Sequence, residues 1–151
     1  MKKKKAMVGI ALGVIMLTSL VGAISLPTDS NKISDIEDKR REKQDFIVNA
    51  WVAWQQGMVG KEEFISVIEQ SIIDSDVLSQ EYQSLSLPQK YDRYKSLSIE
   101  SLGIQKDAFL KLKEYVEAED PETQELKGSE FDQLMKTSTQ YHDQALGELE
   151  S

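Results

Sequence analysis

From Ile33 onward, apolar and polar positions recur with the three-and-four spacing of α-helices. The first stripe is Ile33, Ile36, Arg40, Lys43, Ile47, Trp51, Trp54 and Met58. Apolar residues occupy only its two ends, and the intervening "DIEDKRREKQD" is mostly charge. Ser34 or Asp35 can cap this helix, placing Asp35, Glu37 and Asp38 in a first turn where the helix dipole favours acids. The stretch is expected to be an exposed helical stalk leading into a buried half that begins at Phe46. Ahead of it, "SLPTDSNK" (25–32) is a turn-rich linker containing Pro27.

Gly57 and Gly60 stop the first helix. The second starts at "GKEEF" with Phe64, Ile65, Ile68, Ile72 and Ile73 as its apolar face, and weakens through "DSDVLSQEYQSLSL", either a fraying end or a short separate helix. Pro88 suits the first helical position of a third helix. Its stripe is Tyr91, Tyr94, Ser98, Leu102, Gln105, Phe109, Leu112 and Val116, and it ends at "AEDPE". The fourth helix begins by Glu122, or after Gly128 with Ser129 as cap; Phe131, Leu134, Met135, Ser138, Tyr141, Ala145 and Leu149 are its stripe. Neither strand-like alternation nor an internal repeat is present. The expected fold is all-α, an antiparallel up-down bundle of about four helices after an N-terminal signal or anchor helix.

The start of the chain changes the picture. Lys2–Lys5 precede an uncharged run from Ala6 to Thr28. A basic cluster, an apolar run and small residues at Val21-Gly22-Ala23 are the parts of a secretory signal cut after Ala23. The run is also long enough to stay as a membrane anchor. Either way the lysines keep the cytoplasmic side and the remainder lies outside the membrane. The expected organisation is a signal peptide or uncleaved anchor at 1–23, linker and stalk at 24–45, and a bundle domain at 46–151. The expected location is extracytoplasmic, secreted or tethered through residues 6–26.

Charge and composition then narrow the chemistry. The chain carries 18 basic and 26 acidic side chains; without Lys2–Lys5 the balance is 14 against 26, a net charge of −12. That acidity repels phosphate backbones, so nucleic acid is not an expected partner. There is no cysteine, hence no disulfide, thiolate metal site or lipid-attachment cysteine. "DSDVLSQE" (74–81) opens like a calcium loop, but Leu78, Ser79 and Leu85 stand where a ligand, a glycine and a glutamate are required. The only histidine, His142, has Ser138 one turn away; Asp143 is adjacent in sequence and so faces elsewhere on the helix. His142 is read as a partly exposed surface residue. Neither a catalytic constellation nor a cofactor or metal site is expected.

Trp51 and Trp54 share a narrow arc with Ile47 and Met58. Each indole buries about 150–250 Å², which at about 25 cal/mol per Å² is roughly 4–6 kcal/mol at most. A small bundle without staples keeps such bulk in its core, with a ligand or partner platform as the alternative. Ser98, Ser101 and Gln105 on the third helix and Ser138 on the fourth are polar positions inside otherwise apolar stripes. They satisfy one another and let the helices approach, or they line a small pocket flanked by Tyr94 and Tyr141. Candidate contact residues are therefore Trp51, Trp54, Tyr94, Ser98, Gln105, Ser138 and Tyr141. The expected function is a non-catalytic interaction module of the cell envelope, its partner another envelope protein or a second copy of itself, with the membrane engaged only through an uncleaved N-terminus. The alternative is a sensor-like bundle binding a small ligand between the third and fourth helices.

Overall fold

The computed structural model describes residues 27–151. Helix α1 runs Pro27–Gln55, α2 Lys61–Ser84, α3 Asp92–Glu117 and α4 Pro121–Glu148, with one 3-10 turn at Gln89–Tyr91 before α3. The architecture is the expected all-α bundle of four helices. The expected signal or anchor lies outside the described residues.

Each connection has a local cause. At the end of α1, Gly57 takes φ +72°. Its N–H bonds to Trp54 O at 3.0 Å and the Met58 N–H to Ala53 O at 2.8 Å. This is a Schellman stop, which needs the left-handed backbone that glycine adopts without strain. Lys95 Nζ closes the end of α2 by donating to the Leu85 and Gln83 carbonyls at 2.8 and 3.3 Å. Asp120 caps α4, its carboxylate accepting the Thr123 N–H at 2.8 Å with Pro121 just inside the helix.

Several boundaries differ from the sequence expectation. Within the linker expected at 25–32, the described residues, from Pro27 on, are helical. Helix α2 continues to Ser84 without a break. Pro88 precedes the 3-10 turn and does not start α3 itself. Met58, expected on the apolar stripe, is 73% exposed because α1 has already ended. Ile73 is exposed on the outer face of α2.

The largest correction concerns the stalk. Ile33, Ile36, Glu37, Arg40 and Gln44 are all buried, whereas Phe46, expected to open the buried half, is exposed. The buried face of α1 is one continuous stripe, and Phe46 lies well off it. Its charged middle is inside because it meets partners on the other helices.

The interior falls into two apolar clusters. One gathers Ile47, Trp51, Trp54, Phe64, Ile68, Phe109, Leu112, Tyr115 and Phe131. Trp54 stacks on Phe64 with ring centres 5.1 Å apart, and Trp51 meets Phe64 edge-on at 5.7 Å. The other gathers Ile33, Ile36, Leu78, Tyr82, Tyr91, Tyr94, Leu102 and Ala145. Helix α3 packs most extensively on α4, then on α2; α1 lies along α2 and makes no comparable backbone approach to α3 or α4. Trp51 and Trp54 are core residues, as their spacing implied. Replacing either by alanine is expected to cost about 3–5 kcal/mol, read as a lower urea midpoint.

Candidate functional site

Between the two apolar clusters lies a buried polar layer, centred on one carboxylate. Glu37 of α1 accepts the Tyr82 hydroxyl of α2 and the Tyr94 hydroxyl of α3 at its Oε1, each at 2.6 Å. Its Oε2 lies 2.8 Å from Nε2 of His142 on α4. A single side chain thereby touches the three other helices. Three positions further along α1, Arg40 Nη2 donates to Ser101 Oγ at 2.7 Å. Ser101 Oγ donates in turn to the Ser138 carbonyl at 2.7 Å, and Ser138 Oγ to the Ser101 carbonyl at 2.8 Å. These reciprocal bonds hold α3 and α4 close where small side chains allow it. Gln44 Nε2, one turn beyond Arg40, is 3.5 Å from Gln105 Oε1, too long for a strong bond.

The layer is sealed. Ser98 and Ser101 are fully inaccessible, and Arg40, His142, Ser138 and Glu37 are 1–3% exposed. Four of its buried atoms find no hydrogen-bond partner among the described residues: Arg40 Nε and Nη1, Ser98 Oγ and His142 Nδ1.

Electrostatics fix the protonation pattern. Burial by itself would raise the Glu37 carboxyl, but the hydrogen bond to His142, the Arg40 charge and the Tyr82 hydroxyl outweigh it and hold Glu37 at about 2. Burial pushes the His142 imidazole down from its ordinary value; Arg40 adds to this, while Glu37 and Asp143 oppose it. Neutral His142 carries its hydrogen on Nε2, because a carboxylate only accepts. Burial and the adjacent carboxylate push both tyrosines above the ordinary phenol range. The layer thus holds one anion, one cation and a neutral imidazole.

Of the residues singled out from sequence, the structure brings Tyr94, Ser98, Gln105 and Ser138 into this layer. Trp51 and Trp54 sit in the aromatic cluster, and half-buried Tyr141 packs at the edge of the other. Glu37, Arg40, Gln44, Tyr82 and His142 are the members that sequence reasoning missed. His142 is not a surface residue: its partner on α1 draws it inside. The one available signal was that Glu37, Arg40 and Gln44 continue the spacing of the apolar ends.

Chemically, a carboxylate orienting an imidazole is part of a nucleophilic triad. Here Ser138 Oγ is committed to a backbone carbonyl, Asp143 is exposed, and the imidazole is out of solvent's reach. Residues 74–84 of the apparent calcium loop are helical, and among the described residues no group of His, Asp or Glu is arranged to hold a metal ion. Outside the layer, Glu42, Lys43, Phe46, Gln70 and Asp74 line a shallow groove of about 200 Å³ between α1 and α2. No family model, curated protein or solved structure matches the chain.

Glu37→Gln is expected to destabilise the bundle by about 3–5 kcal/mol, since Arg40 then keeps a buried charge without a counterion. Adding Arg40→Met should recover a good part of that loss in the same urea titration. Because folding lowers the Glu37 carboxyl from 4.5 to about 2, its stabilising contribution is complete above pH 4.5 and disappears as pH falls toward 2. That acid limb should be missing from Glu37→Gln.

Proposed function

We infer that this protein is a non-catalytic helical module of the cell envelope that works by presenting helix faces to a protein partner, either another envelope protein or a second copy of itself. The observation that carries the reading is that the chain's acid–base side chains with buried partners are spent on one another inside the bundle. What remains outside is acidic surface with isolated apolar side chains.

The α2/α3 seam offers the best-framed of those. Lys106 pairs with Asp76 at 2.7 Å and Lys113 with Glu69 at 2.8 Å, both across this seam. Exposed Ile73 lies between Glu69 and Asp76 on α2, and exposed Leu110 between Lys106 and Lys113 on α3. Antiparallel helices bring the two to the same height, flanked above and below by ion pairs. An apolar centre with a charged rim is how protein contacts are commonly built. Export is supported by Lys2–Lys5 and the uncharged run that follows; no described helix is long and apolar enough to cross a membrane.

A second reading, a bundle that takes a small polar molecule inside, draws on the four unpartnered atoms of the buried layer. The Ser101–Ser138 bonds close the α3/α4 seam, so such a molecule would enter from the α1 side.

A photo-crosslinker at position 73 or 110 in cells should give a discrete protein adduct, and one at exposed position 143 should not. A metabolite panel should leave the melting temperature unchanged. Melting shifts with a silent seam would replace this reading by the second one. Finding the chain in the cytosol with Lys2–Lys5 attached would remove the envelope assignment.

A further inference from the structure

The two halves of α1 are held by different forces. The second half carries Ile47, Trp51 and Trp54 into an aromatic cluster and is closed by the Gly57 stop. The first half has Ile33 and Ile36 in the other cluster and exposed lysine contacts at its surface, Lys32 to the Ser86 carbonyl and Lys39 and Lys43 to Glu81 and Asp74; its buried polar attachment to α2, α3 and α4 runs through Glu37 and Arg40. That attachment is charge-balanced only while His142 is neutral. The charged and titratable groups around His142 are Glu37 and Arg40 from α1, Tyr82 from α2, Tyr94 from α3, and Asp143 on its own helix. Asp143 is exposed. A proton on His142 sets two buried cations against one carboxylate, and it turns Nδ1, which has no partner among the described residues, into an unpaired buried donor.

We propose that residues 27–44 form a proton-released arm: protonation of His142 in mild acid loosens their docking on α2, α3 and α4 while the tryptophan-bearing half of α1 stays seated. Release hydrates Arg40, Glu37 and the imidazolium. It also exposes Ile33 and Ile36, so the open form stays a minor population, and a detached segment this short holds little helix of its own.

The sign follows from linkage. The open form binds the proton at an ordinary histidine value of about 6.5, and the docked form resists it. Opening therefore rises as pH falls below that value, by at most about tenfold between pH 7.5 and 5.5, the limit for a docked form that takes up no proton. Glu37 adds almost nothing in this window, since its ordinary value is 4.5.

Hydrogen exchange of the full chain, corrected for the intrinsic rate, tests the proposal. Peptides within 27–44 should lose protection between pH 7.5 and 5.5, by at most about tenfold, and peptides within 47–56 should not. His142→Gln, which can still donate to Glu37 but cannot titrate, should remove the step. Unchanged protection in 27–44, an equal loss across all four helices, or a step that persists in His142→Gln would overturn the proposal. Should that variant not fold, the chain's single histidine serves as its own probe. An imidazole resonance titrating below the ordinary value supports the arm, and one titrating at or above it overturns it.

Discussion

The bundle depends on one carboxylate being ionised where almost none of it reaches the surface. Glu37 accepts hydrogen bonds from a side chain on each of the other three helices, and Arg40, one turn along, supplies the balancing charge. Removing an ion from water costs several kcal/mol, and Glu37 recovers this through its three hydrogen bonds and the nearby Arg40 charge. Such a layer contributes less to stability than to uniqueness. An apolar middle of the same volume would tolerate sliding of one helix over another, whereas here a slide would break the bonds of Glu37 to all three other helices.

The division of the interior follows from that layer. The aromatic cluster and the tyrosine-rich cluster occupy opposite ends of the bundle, and the polar side chains cross between them. Helices α3 and α4 meet through two serines bonded to each other's backbone, and so come close. Helix α1 stands further from them and reaches inward with long side chains.

Much of this was legible in the sequence. Every position of the α3 stripe, from Tyr91 to Val116, is buried, and the two tryptophans lie in the core. These are statements about one helix at a time, and periodicity answers them. The failures share a cause. Glu37, Arg40 and Gln44 sit on the inward stripe of α1, but a charged residue there is read as solvated unless its partner is known. The partners of Glu37 lie 45, 57 and 105 residues away, on three different helices. Spacing within a helix carries no information about them. His142 failed for the same reason: judged by its neighbours in sequence it is an ordinary surface residue, and only the fold brings α1 against it.

The stand-off of α1 makes side-chain length a ruler. The Oε2 oxygen of Glu37 ends 2.8 Å from an imidazole on α4, across a gap the backbones do not close. An aspartate there would carry the same charge, yet fall short by one carbon–carbon bond, about 1.5 Å. Either α1 would have to tilt inward, against the bulk of Trp51 and Trp54 at its far end, or the contact would be lost. In this molecule the width of the indoles at one end and the reach of a glutamate at the other set the same interhelical distance.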